Sequence, residues 1–92
     1  MNQDEQPLLS DFLKELKAHK KGVFLEHTIH IFYNDWSVNP YYDDDYSERV
    51  SITTTKLRNL NDTDYRNYRV LWWDQSIYVQ AYIEICVKKV EE

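Results

Sequence analysis

The sequence predicts an α+β domain in which an N-terminal helix packs across a four-stranded antiparallel sheet, the strands following one another as a meander. Two periodicities and one length carry this expectation. Leu9, Phe12, Leu13 and Leu16 recur at helical spacing near the start. From Val23 onward apolar residues recur at every second position, most cleanly in Ile77, Val79, Ala81, Ile83, Ile85 and Val87. The chain has 92 residues, of which 42% are hydrophobic. That makes a single domain, 1–92, with residues 1–6 expected to fray and a core thinned by small size.

The helix is expected over 7–21. Pro7 suits a first helical position, where its missing N–H costs nothing. Asp4, Glu5 and Asp11 lie near the start, and Lys17, His19, Lys20 and Lys21 near the end, the sign order that the macrodipole favours. Gly22, the only glycine, stands where a left-handed residue would end the helix.

Four strands follow. The first is expected over 23–33, with Val23, Leu25, Ile29, Ile31 and Tyr33 on one face and Phe24, Phe32 and His30 on the other. The second runs over 49–57, with Val50 and Ile52 inward and Thr53, Thr54 and Thr55 supplying β-branched propensity. Residues 59–62 form a turn cluster. The third strand is expected over 65–73, with Tyr68, Val70 and Trp72 sharing a face. Residues 74–76 then form a short hairpin turn, and the last strand begins at Ile77.

A helix lying across an antiparallel meander resembles the layout of cystatin-like proteins. The resemblance extends to layout alone and rests on no family motif, so it implies a fold without implying a function. One helix covers one face of the sheet. The other face is expected to carry Phe24, Phe32, Tyr78 and Tyr82, more rings than a wet face normally holds.

Composition excludes several functions. The net charge is -5 and no basic stripe is visible, which argues against direct binding to nucleic acid or to an anionic membrane. A single glycine rules out the glycine-rich phosphate loops. Cys86 is the only cysteine, so no internal disulfide forms. No apolar run approaches a bilayer span and the start is polar, so a reducing cytosol is the expected location. The preference for Asn, Lys, Ile and Tyr suggests an A/T-rich genome, such as that of a low-GC bacterium or its phage.

The most informative segment is 33–48, where carboxylates alternate with rings. Asp35, Asp43, Asp44, Asp45 and Glu48 stand among Tyr33, Trp36, Tyr41, Tyr42 and Tyr46, with no basic residue between them. Such acidity keeps a segment solvated, whereas the rings seek cover. Asp43, Asp45 and Ser47 match the first ligand spacings of a calcium loop. Glu48 in place of glycine and Thr54 in place of the closing glutamate exclude an EF-hand.

Other chemistry is sparse. His27 and His30 point to opposite faces of a strand and cannot share a metal. Cys86, beside Glu84 in mid-strand, is read as packing and not as a nucleophile. Arg66 and Arg69 are placed to pair with the acidic segment. No metal site, cofactor or catalytic residue is expected.

The resulting expectation is a small, acidic, non-enzymatic binding protein. Its partner surface would join Asp35, Trp36, Tyr41, Tyr42, Asp43, Asp44, Asp45, Tyr46 and Glu48 to Trp73, Tyr78 and Tyr82. The partner is expected to be a protein, basic or nucleic-acid-binding, which the carboxylates would block by imitating phosphates, as a phage-type antagonist does. The alternatives are a small-ligand-binding cystatin-like or NTF2-like domain, with His27 or His30 beside a carboxylate in a pocket, and a plain homodimer through the second face.

Overall fold

Helix α1 (Leu9–Ala18) is followed by four strands: β1 (Thr28–Asp35), β2 (Glu48–Lys56), β3 (Tyr68–Gln75) and β4 (Tyr82–Lys89). A computed structural model of the chain describes residues 6–35 and 48–90.

The helix begins later than expected. Pro7 is extended, and its carbonyl accepts the Val70 N–H at 2.9 Å, while Leu8 makes an isolated antiparallel bridge to Arg69. The pairing with β3 therefore withholds residues 7 and 8 from the helix. Leu9, Leu13 and Leu16 are buried against the sheet, as their spacing demands, with Phe12 half-buried beside them. A short 3-10 turn, His19–Lys21, then reverses the chain through three successive positive φ values: Lys20 at 46°, Lys21 at 60° and Gly22 at 86°. Gly22 takes the left-handed conformation expected of it, though one turn beyond the α-helix.

Residues 22–27 are turns, so β1 starts at Thr28 and the expected strand over 23–27 does not form. Here local propensity yields to tertiary pairing. The His27 carbonyl accepts the Leu57 N–H at 2.9 Å, and His27 sets its ring edge-on to Phe24 at 4.9 Å.

The sheet order is β2-β1-β4-β3. β1 pairs antiparallel with β2, and β3 antiparallel with β4, but β1 and β4 run parallel in the centre. The sheet is therefore mixed, not the antiparallel meander on which the cystatin-like layout rested. The connection between β2 and β3 is what makes the difference. It leaves one edge of the sheet, passes α1 through 3-10 turns at Leu57–Asn59 and Asp62–Tyr65, and reaches the opposite edge. Lys17 on α1 holds this crossing by donating to the Leu60 carbonyl and to Asp62 at 3.2 Å.

The core lies between α1 and one face of the sheet. Ile29 and Ile31 of β1 stand in register with Ile83 and Ile85 of β4, all fully buried. Val87, Val70, Leu57 and Leu60 complete it. Each such side chain contributes about 1.5–3 kcal/mol by leaving water. This explains why the two strands with the densest apolar alternation occupy the centre.

Two register shifts redirect side chains. In β1–β2 the partner jumps from Thr53 to Ser51, leaving Ile52 as the extra residue. In β3–β4 it jumps between Val70 and Trp72, leaving Leu71 extra. The second shift breaks the expected shared face of Tyr68, Val70 and Trp72. Val70 faces the core, whereas Trp72, opposite Cys86, faces away from α1. The last strand is also shorter than its pattern. Ile77, Val79 and Ala81 belong to the turn before β4, not to the strand.

Candidate binding surface

The residues expected to bind a partner fall in three places. Trp36, Tyr41, Tyr42, Asp43, Asp44, Asp45 and Tyr46 lie outside the described residues. The strand ends that flank them are defined: Asp35 closes β1 and Glu48 opens β2, directly opposite one another. Two like charges directly opposite one another disfavour each other.

Trp73 and Tyr78 belong to the second place, the outer edge of β3 and the turn beyond it. Trp73 faces α1 and meets Phe12 at 5.5 Å between ring centroids. Trp72 faces the other side and meets Phe32 edge-on at 5.6 Å. Both indoles remain nearly half exposed, at 45% and 44%, and Leu71, just before them, is exposed at 40%. The following turn holds Ile77 at 85% and Tyr78 at 91% exposure. Ser76 gives this turn its shape. Its Oγ accepts the N–H groups of Tyr78 at 3.1 Å and Val79 at 2.9 Å, and its own N–H bonds the Tyr82 carbonyl at 2.9 Å. Ala81, in the left-handed region at φ 56°, returns the chain to β4. Several large apolar side chains are thus exposed close together in sequence at this edge and turn. The sequence pointed to Trp73 and Tyr78 but not to Trp72 and Ile77, expected on strand faces, nor to Leu71. The unbroken run Val70-Leu71-Trp72-Trp73 was the available signal, because no single alternating strand places four apolar neighbours well.

Trp73 also borders a shallow cleft of about 210 Å³ lined by Phe12, Glu15, Leu16, His19, Phe24 and Trp73. It is smaller than the roughly 300–1,000 Å³ that drug-sized ligands occupy. Neither His27 nor His30 lines it.

Tyr82 lies in the third place, the sheet face opposite α1. This face is not the bare ring-rich surface expected. Tyr78 is in the turn, and Phe24 packs against the core with His19 stacked on it at 5.4 Å. Phe32 is on this face but fully buried, with Trp72 against its edge and the Arg49 guanidinium 4.1 Å from its centroid. Arg49 Nη1 also donates to Glu84 Oε2 at 3.0 Å. Burial pushes the Tyr82 hydroxyl above its ordinary pKa, with Glu84 adding to the shift. Burial likewise raises the Cys86 thiol, against a smaller opposing effect of Arg49. Packing, not Glu84, is what raises it.

On the same face His30 Nε2 lies 3.1 Å from Ser51 Oγ, and His30 Nδ1 lies 3.8 Å from Glu84 Oε2. The order hydroxyl, imidazole, carboxylate is that of a nucleophile relay. The second distance exceeds a hydrogen bond, and Nδ1 is buried with no hydrogen-bond partner. Arg49 already holds the same Glu84 oxygen, and Ser51 is exposed. The geometry is that of a tethered histidine, not an activated serine.

The arginines expected to neutralise the acidic segment have other partners as well. Arg66 donates to the Thr63 carbonyl at 3.1 Å and Arg69 to the Gln6 carbonyl at 2.6 Å. Among the described residues no group of three His, Cys, Asp or Glu side chains is placed to hold a metal ion, and no helix is long and apolar enough to cross a membrane. No family model, curated protein or solved structure matches the chain.

Proposed function

We propose that this chain is a non-enzymatic protein-binding module whose partner is basic. The observation that carries this reading is the exposed apolar group at the end of β3, with Trp73 and Tyr78 at its centre. Aromatic anchors of this kind supply most of the energy in protein interfaces. A net charge of -5 favours a cationic partner. Blocking a nucleic-acid-binding protein by imitating phosphates is one concrete form of this reading, and residues 36–47 would supply its remaining charge.

The test is affinity capture from a low-GC bacterial lysate, followed by titration of the recovered protein. Trp73→Ala and Tyr78→Ala should each weaken binding by about 30-fold, the effect of a 2 kcal/mol hot spot. Unchanged affinity in both variants would remove the reading. Competition by duplex DNA and steep weakening by salt would identify the phosphate-imitating form.

A further inference from the structure

We infer that the partner adds an extended strand to the outer edge of β3 along residues 71–75, with a basic side chain set against Asp74. This rests on the protein-binding reading above and states how such a module takes hold of its ligand.

The backbone geometry comes first. The Ser76 N–H bonds the Tyr82 carbonyl, so residue 76 faces β4. Antiparallel alternation then turns the N–H and C=O groups of Trp73 and Gln75 outward, away from β4. The molecule already uses this edge for the same purpose. Pro7 accepts the outward N–H of Val70, and Leu8 bridges Arg69 antiparallel, so a piece of extended chain is docked on the first part of the edge. Among the described residues that pairing ends at Val70, and residues 71–75 continue the same edge.

Charge selects the occupant. Asp74 stands in register with Glu84 of β4. Glu84 is balanced by Arg49, whereas Asp74 makes no ion pair with a described residue. A second copy of this chain, paired so that its Gln75 meets Trp73, would set Asp74 against Asp74 between two molecules of net charge -5. A foreign strand with lysine or arginine at that position gains where a second copy loses. Side chains on the Asp74 side also pass Trp72, whose exposed face accepts a cation, and those on the other side pass Trp73. The ligand motif is therefore an alternation of basic and apolar residues.

The test uses backbone amide exchange followed by NMR on the full chain, with the capped hexapeptide Lys-Val-Lys-Val-Lys-Val as probe. With peptide at twice its dissociation constant, exchange at Trp73 and Gln75 should slow about threefold, because one third of the protein stays free. Trp72 and Asp74, already turned toward β4, should not change. The slowing should vanish with a peptide N-methylated at alternate residues, and weaken with Glu in place of Lys or with Asp74→Asn. No slowing with the lysine peptide overturns the proposal. So does protection that survives N-methylation. So does protection without peptide that rises with protein concentration, which would give the edge to a second copy. Protection without peptide that disappears when residues 1–5 are removed would give it to the chain's own start, with the same consequence. If a captured partner depends on Trp73 and Tyr78 while these amides stay unprotected, the edge proposal falls and the protein-binding reading stands.

Discussion

Arg49 rests its guanidinium 4.1 Å from the centroid of the Phe32 ring, on the face of the sheet that the helix leaves uncovered. One side chain there covers a fully buried ring and, through Nη1, ties β2 to Glu84 of β4 across the intervening β1. A planar cation that stacks and donates at once does what a lysine cannot.

Arg49→Ala should therefore lower stability by about 1 kcal/mol, the sum of a partly exposed cation–ring contact and an exposed ion pair. Arg49→Lys should recover less than half of that. Urea unfolding measures both. An unchanged midpoint in the alanine variant would mean that Phe32 is covered without Arg49.

Gly22 at φ 86° follows two lysines already at positive φ. A Cβ there would stand 2.7 Å from Leu25 Cδ1 as well as in a strained backbone region. Gly22→Ala should cost about 1–2 kcal/mol. Ala81, at φ 56°, is the converse position, and Ala81→Gly should be neutral to stabilising by up to about 1 kcal/mol. Thermal unfolding of the two variants should shift the midpoint in opposite directions, or only downward for Gly22→Ala.

Burial raises the pKa of Tyr65, Tyr82 and Cys86 alike. Each group gives up its proton at lower pH in the unfolded chain than in the folded one. Their stabilising effect is therefore complete below the unfolded values, 9.0 for the thiol and 10.0 for the phenols, and is lost as pH rises from there through the higher folded values. Melting temperature should fall from about pH 9 upward. Tyr82→Phe should flatten the later part of that decline. A melting temperature constant to pH 11 would contradict the burial of all three.

Asp62 has its carboxyl held below the ordinary value by a backbone hydrogen bond first and by Lys17 second. The sign is opposite to that of the phenols. The stabilisation is present above the unfolded value of 3.8 and is lost as pH falls through the folded one. Asp62→Asn should make unfolding less steep in acid, and Lys17→Met should reproduce part of that change while loosening the crossing at Leu60. Identical acid limbs for wild type and Asp62→Asn would show that the pair contributes nothing to folding.

Much of the local structure was legible in the residues. The stripe of Leu9, Leu13 and Leu16 specified a buried helix face, and the second strand was anticipated within one residue at each end. Ile83, Ile85 and Val87 alternate as they pack, and Cys86 is buried between strands as its mid-strand position implied. These features depend on a side chain's relation to its near neighbours in the chain, which periodicity reports directly.

Three matters were settled only by the tertiary structure. Ile77, Val79 and Ala81 continue the alternation of β4 yet form a turn, because Ser76 caps that turn and β3 runs on to Gln75. Trp72 faces away from the core because the extra residue Leu71 shifts the period by one, and a shift of one exchanges the two faces of a strand. The parallel pairing of β1 with β4, and with it the place of β3 at the end of the sheet beside the helix start, follows from a crossing over α1 that no local pattern encodes. Periodicity states which way a side chain points; only the packing of distant segments decides which strand lies beside it.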